Sequence, residues 1–121
     1  MVKVIFGLVR RNDLTHDEFA AYWYERHAPL VREVADLLHI RRYVQSHIVG
    51  DRISATLASS RGAVRPFDGV AELWWDSLAD MLVSTPESQE ASARLIRDEK
   101  VFLDLASCAL VLAEEKMIIG G

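Results

Sequence analysis

The sequence is poor in cysteine, with Cys108 alone among 121 residues. One cysteine excludes an intramolecular disulfide, a cysteine-rich zinc module and a cysteine-ligated iron–sulfur cluster. No hydrophobic run approaches the roughly 18–20 residues that cross a bilayer. The short apolar stretch at the N-terminus lacks the length and the cleavage site of a signal peptide. These absences predict a cytoplasmic protein that has no membrane partner.

Motifs for phosphates and metals are missing as well. The sequence has no P-loop and no GxGxxG, so a nucleotide cofactor is not expected. No two histidines are spaced to ligate a metal from one helix face, and no HxxxH pair occurs. We therefore expect no metal site. The four histidines are His16, His27, His39 and His47.

The net charge of −4 argues against a nucleic-acid partner, because such proteins normally present a basic face. The charge is uneven, with +3 on residues 1–66 and −7 on residues 67–121. This asymmetry fits attraction within the fold or between subunits, and it also fits chance surface composition.

The length is that of one domain spanning residues 1–121, and half of the residues are hydrophobic. Runs rich in β-branched and aromatic residues predict four strands. They are Lys3–Arg10, Ile40–Val49, Phe67–Asp76 and Ala106–Ala113.

Helix signals lie between these runs. Thr15 and Glu18 form a predicted capping box, followed by apolar residues at helical spacing to Leu30. We expect Ala28-Pro29 to interrupt this helix, because a residue before proline is pushed out of the α region, and a second stretch to follow over Leu30–Leu38. Ser77 predicts a short helix, and Thr85-Pro86 begins the last one.

Residues 50–66 show little periodicity and are predicted to be a long surface loop. Its arginines, Arg52, Arg61 and Arg65, fit a loop that closes over an anionic substrate, or a plain surface insertion.

The predicted order, β-α-β-β-α-β, defines an α+β, ferredoxin-like plait with both helices on one face of an antiparallel sheet. The other face also alternates apolar residues and is left bare. A bare apolar face of several hundred Å² is more than a monomer normally exposes. Pairing with a second copy would cover it, so we expect a homodimer.

Four segments carry a family resemblance. They are Phe19–Val31 (FAAYWYERHAPLV), Tyr43–His47 (YVQSH), Phe67–Trp75 (FDGVAELWW) and Asp98–Asp104 (DEKVFLD). In this order they resemble EthD-type domains of the dimeric α+β barrel superfamily, over nearly the whole chain. The resemblance implies that fold and a dimeric barrel. It leaves the function open, because the superfamily includes cofactor-free monooxygenases, cyclases, isomerases, lyases and haem-binding enzymes.

His27 is the first candidate for catalysis. It lies just before Pro29, four residues after Trp23, and its imidazole titrates in the range that a general acid or base needs. In the family this histidine lines the cleft between sheet and helices. Alternatively, His27 is a satisfied helix-end residue and Trp23 belongs to the core.

Other residues are candidates for substrate binding. Tyr43 and His47 share one face of the second strand, where they either orient a substrate or face solvent or a partner. Trp75 and Phe102 offer aromatic walls or plain core packing. Asp104 either orients His27 or is a solvated acid. We expect Trp23, His27, Tyr43 and His47 to line a pocket of about 300–1,000 Å³.

Two hypotheses of function follow. The first is a cofactor-independent isomerase, lyase, cyclase or monooxygenase in a degradation or secondary-metabolite pathway, with a small hydrophobic, aromatic ligand and His27 as acid/base. The second is a non-catalytic accessory or ligand-binding protein of an oxygenase or ether-degradation system, a role that the resemblance to EthD-type proteins implies. No cofactor is expected, with haem on His27 or His47 as the lesser alternative.

Overall fold

The computed structural model describes residues 1–63 and 66–121. Four strands form one sheet: β1 (Val2–Leu8), β2 (Arg42–His47), β3 (Gly69–Trp75) and β4 (Ala109–Ala113). Their spatial order is β2-β3-β1-β4, and every neighbouring pair is antiparallel. This is the ferredoxin-like α+β plait that the order of elements predicts.

The main helical layer has two parts. The first is a continuous helical run made of α1 (His16–Tyr22), a π-helical turn (Trp23–His27) and α2 (Ala28–Val34). The second is the 17-residue helix α5 (Pro86–Phe102). Both pack on the same face of the sheet, where residues of β1 and β3 alternate inward.

The helix starts are as the sequence predicts. Thr15 accepts a hydrogen bond from the Glu18 amide, and the Glu18 carboxylate accepts one from the Thr15 amide. Thr85 caps α5 with proline in its first turn, and Ser77 caps the short helix α4 (Leu78–Met81). Because the caps satisfy backbone amides that have no partner inside the helix, they fix where each helix begins.

The predicted interruption at Ala28-Pro29 is wrong. Ala28 has α-helical dihedral angles, φ −56° and ψ −43°, and the chain continues as a helix through Pro29. Proline has no N–H to give the carbonyl of Glu25, and its ring would clash with that carbonyl in a regular helix. The backbone shifts to i→i+5 bonding instead, with the Ala28 amide donating to the Trp23 carbonyl.

Residues 50–66 were expected to form a loop, and most of them form a helix, α3 (Asp51–Ser60). The helix buries none of its residues, and Ile53 and Leu57 are exposed. The large apolar residues of α3 are only these two, one helical turn apart, which is too short a pattern to predict a helix by itself. Arg52 and Arg61 lie on and next to α3, whereas Arg65 lies outside the described residues.

The core consists of two clusters that share three residues. The first, between α2, α5 and one end of the sheet, contains Trp75; the second, around Phe19, contains Trp23. The residues that contact both clusters are Phe6, Tyr43 and Leu73. The two clusters therefore meet at these three partly buried residues.

The close approach of Trp23 to the sheet requires glycine at position 69. A Cβ at Gly69 would lie 2.5 Å from the Trp23 ring, and Trp23 is only 1% exposed. Gly7 offers a matched comparison, because its Cβ would lie 2.6 Å from the Phe67 ring, but Phe67 is 39% exposed and free to move.

Gly69→Ala should therefore lower the free energy of unfolding by about 1–3 kcal/mol, since the added methyl group overpacks the contact with the buried Trp23 ring. Gly7→Ala should stay within about 1 kcal/mol of wild type, because Phe67 can swing toward solvent. Urea denaturation of both variants measures the difference. Equal stability of the two would contradict this account of the packing.

Candidate functional site

A small cavity lies between the helical layer and the sheet, where the two core clusters meet. Its volume is about 40 Å³. The walls are apolar, with Trp23, Phe102 and Leu73 among them. The polar side chains that reach it are those of His27, Tyr43 and Glu99. Wider depressions of about 210–410 Å³ open on the surface, but His27 and Glu99 line none of them.

The centre of the site is a chain of three hydrogen-bonded polar side chains, in which His27 is buried and Tyr22 and Asp98 are half-buried. His27 is 5% exposed, and its Nδ1 lies 2.7 Å from Oδ2 of Asp98 on α5. The hydroxyl of Tyr22 donates to Oδ1 of the same carboxylate at 2.6 Å. Because a carboxylate can only accept, His27 carries its proton on Nδ1 in this assignment, and Nε2 keeps its lone pair.

The π-helical turn explains how two residues reach one carboxylate. Tyr22 and His27 are five residues apart, which separates side chains by about 140° on a regular α-helix. The i→i+5 bonding of the turn brings residues five apart onto nearly the same face. Both side chains therefore point to Asp98.

Burial keeps His27 neutral despite its acidic partner. Desolvation lowers the pKa of His27 below its ordinary 6.5, and the hydrogen bond and charge of Asp98 oppose this only in part. Because the folded protein holds the proton less tightly than the unfolded chain, this group's contribution to stability is present above pH 6.5 and is lost as the pH falls from 6.5 through the lower pKa of the folded state. At neutral pH, Nε2 is an unprotonated base.

The pKa of Glu99 is raised, whereas that of His27 is lowered, and both shifts favour the neutral form. Burial, and secondly the charge of Asp98, raise the pKa of Glu99 from 4.5 to about 7. Among the described residues, no group hydrogen-bonds to its carboxyl. A carboxyl in such surroundings stays protonated at a pH where ordinary glutamates are ionised.

Tyr43 belongs to a hydrogen-bonded row on β2. Its hydroxyl accepts from Nε2 of Gln45 at 2.9 Å, and the same amide donates to the Trp23 carbonyl. Nε2 of His47 lies 2.8 Å from the Gln45 side-chain oxygen. Burial raises the pKa of Tyr43, so it remains a neutral phenol. The row ties the π-helical turn to the sheet.

The structure brings together four of the residues proposed from sequence, and it does not bring the other three to the cavity. Trp23, His27, Tyr43 and Phe102 line the cavity. The cavity is also smaller than the 300–1,000 Å³ expected.

The remaining three lie elsewhere for different reasons. His47 is exposed and stacks on the outer side of Trp23, with 4.5 Å between ring centroids. Trp75 belongs to the first core cluster, four residues or about 13 Å along β3 from Ala71, and its Nε1 donates to the Leu38 carbonyl. The position of His47 corrects the expectation that it lines the pocket, and Trp75 takes the core-packing alternative rather than a place in the site.

Asp104 is not the carboxylate that holds His27. Its amide donates to the Val9 carbonyl and its side chain accepts from Ser107, because the chain has already left α5. Sequence reasoning missed Asp98 and Glu99 as site residues. They lie four and three residues before Phe102, so helical spacing from that aromatic residue would have indicated them.

Cys108 shows no nucleophilic character. Its sulfur accepts from the Val9 amide at 3.2 Å, and burial raises its pKa, so it stays a thiol at neutral pH. Within residues 1–63 and 66–121, no three His, Cys, Asp or Glu side chains cluster to hold a metal ion.

The comparison with known families decides the affiliation. The family profile described as "EthD domain" matches residues 11–106, which is most of the chain. The chain belongs to the EthD domain family. No curated protein sequence matches this EthD domain. No helix in the described part of the EthD domain is long and apolar enough to span a membrane.

Solved structures share the fold of this EthD domain. An EthD family protein from Bacillus halodurans aligns with a TM-score of 0.62 and 22% identity, covering 96% of this chain and 99% of that one. A dimeric, ferredoxin-like protein of unknown function from Bacteroides fragilis gives 0.58 at 15% identity, covering 94% and 95%. A proposed antibiotic biosynthesis monooxygenase from Deinococcus radiodurans gives 0.52 at 16%, covering 99% and 97%.

Haem, the lesser alternative from the sequence, is far larger than the space that the described structure leaves beside His27. Pockets for molecules of drug size measure about 300–1,000 Å³, and the cavity beside His27 measures about 40 Å³. His47, the other candidate ligand, is occupied by Gln45 and by stacking on Trp23.

Glu99→Gln should stabilise the protein more as the pH rises. The folded state binds the Glu99 proton more tightly than the unfolded chain, so wild-type stability falls between pH 4.5 and about 7. The variant should gain about 1–3 kcal/mol near pH 8 and little near pH 4.

Denaturation with urea at both pH values measures this gain. Glu90→Gln is the control, because Glu90 is exposed on the same helix. A gain for Glu99→Gln that does not depend on pH would show that Glu99 ionises normally.

Proposed function

We propose that this EthD domain is a cofactor-independent enzyme that transfers a proton on a small, largely apolar substrate. The observation that carries the proposal is the hydrogen-bonded chain Tyr22–Asp98–His27, with its histidine buried at the edge of an apolar cavity. A histidine that is neutral, oriented by a carboxylate and screened from water has the properties of a general base.

The proposed step moves one proton. Nε2 of His27 takes a proton from a C–H or O–H group of the substrate, which leaves an enolate or phenolate and an imidazolium. The Asp98 carboxylate, 2.7 Å from Nδ1, stabilises the imidazolium. Return of the proton to another atom gives an isomer, whereas ring closure, elimination or reaction with oxygen gives the other outcomes open to such an anion.

An aromatic substrate is favoured by the cavity walls. Trp23, Phe102 and Phe6 present ring surfaces, and the Phe102 ring lies 5.0 Å from that of His27. A space of about 40 Å³ holds water and no ring. Binding of an aromatic substrate therefore requires the wall side chains to rearrange. We expect such a substrate to belong to a degradative or secondary-metabolite pathway.

The small volume of the cavity, about 40 Å³, also favours a second candidate, a non-catalytic accessory or ligand-binding role beside an oxygenase. In that case the Tyr22–Asp98–His27 chain serves to anchor α5 to the first helical run. The two candidates differ in whether removal of the imidazole abolishes chemistry or only lowers stability.

His27→Ala should reduce turnover by about 10²–10⁴-fold once a substrate is in hand, the usual contribution of a positioned proton-transfer group. Affinity should change far less, because the aromatic walls remain. His27→Gln separates two roles: it donates a hydrogen bond but takes up no proton, so retained activity would mean oxyanion binding.

The matched control for the histidine is His39→Asn. His39 is exposed and has a φ of 58°, a conformation that asparagine tolerates. Circular dichroism must show all variants folded. Wild-type kcat for folded His27→Ala would favour the accessory role.

We further propose that the domain works as a homodimer joined through the outer face of the sheet. Ile5, Val44, Val70 and Val111 give that face an apolar surface, and the Bacteroides fragilis neighbour is described as dimeric. The ion pair Lys3–Glu72, at 2.6 Å, crosses its middle.

Light scattering should give about twice the chain mass of 13.7 kDa at micromolar concentration. We expect the interface to reach the standard size of about 1,600 Å². A monomer at that concentration would contradict the proposal.

A further inference from the structure

We propose that the cavity selects uncharged molecules that carry a hydrogen-bond-accepting oxygen, such as a ketone or an aryl carbonyl, and that Glu99 donates the hydrogen bond as a neutral acid. The inference rests on the proposed function only for the location of the site. It names the substrate class and adds a second catalytic residue opposite His27.

The position of Glu99 is the first step. Its side chain lines the same small cavity as His27, so both face any molecule bound there. Within the described residues, no donor hydrogen-bonds to its carboxyl. Glu99 is half-buried in a mostly apolar wall, where ionisation of a carboxyl without protein donors is disfavoured, whereas the protonated acid needs one acceptor. A bound carbonyl oxygen supplies that acceptor.

The charges around Glu99 are the second step. Asp98 adjoins it on α5, His27 faces the cavity from the π-helical turn, and Tyr43 faces it from β2. The Cys108 thiol is close enough for the charge of Glu99 to contribute to its raised pKa. No lysine or arginine lines the cavity in the part of the chain that the structure describes. A carboxylate ligand would meet like charge without a counterion, so anions are excluded.

The chemistry of the pair follows from these positions. His27 Nε2 accepts the proton from the carbon next to the carbonyl, and the Glu99 carboxyl gives its proton to the carbonyl oxygen. The products are a neutral enol, an imidazolium and a carboxylate, so charge and protons balance. A donor placed on the oxygen where charge develops lowers the barrier to this step.

Binding of three matched probes tests the inference without any turnover. Acetophenone has the acceptor oxygen, ethylbenzene lacks it, and benzoate is anionic. Affinities are measured by two-dimensional NMR of the 13.7 kDa chain near pH 6 and near pH 8.5, on either side of the pKa of about 7.

Near pH 6, the wild type should bind acetophenone at least about tenfold more tightly than ethylbenzene, and this preference should largely disappear near pH 8.5. Glu99→Gln keeps a donor that does not ionise, so its preference should persist at both pH values. Glu99→Ala should show no preference, and Glu90→Gln should match the wild type.

Three results would each overturn the inference: a wild-type preference that does not change with pH, benzoate binding as tight as that of acetophenone, or no binding of acetophenone. Failure of the proposed function has a different signature: wild-type turnover in folded His27→Ala, with the acetophenone preference and its loss at high pH still present.

Discussion

The site depends on the way the first helical run accommodates Pro29. The proline has no N–H and crowds the carbonyl one turn back, and the chain responds with a π-helical turn rather than a break. That turn aligns Tyr22 and His27 toward Asp98 while Trp23 packs on Gly69. Without it, a residue five positions from Tyr22 would point away from α5. The π-helical turn that accommodates Pro29 thus brings His27 within hydrogen-bond distance of Asp98.

Burial then gives two titratable groups in one cavity opposite characters. His27 loses its proton more readily than in water and Glu99 holds its proton more tightly, because both charged forms are disfavoured by desolvation. A neutral base and a neutral acid therefore coexist near pH 7. Such an arrangement lowers the stability of the fold at the pH extremes. The buried hydrogen bonds of Asp98 offset part of this cost, since they tie α5 to the first helical run.

Much of this was predictable from the sequence, and the reasons for the failures are physical. Capping residues such as Thr15 and Thr85 fix helix starts through local hydrogen bonds, so they were found, and the alternation of the strands gave the plait. Helix α3 was missed because it buries nothing, and the Pro29 break was wrong because tertiary packing overrode a local preference. His27 and Trp23 were placed in one cavity correctly, whereas Asp98 was not considered as the partner of His27, because sequence order does not show which carboxylate the fold brings next to the ring.

The central claim is that His27 is a neutral base with its proton on Nδ1, held by Asp98. Nitrogen-15 NMR of the imidazole across a pH titration tests it most directly, because both ring nitrogens report their protonation. The account predicts an Nδ1–H tautomer at neutral pH and a pKa below 6.5. An imidazolium at pH 7, or a neutral ring with its proton on Nε2, would contradict it.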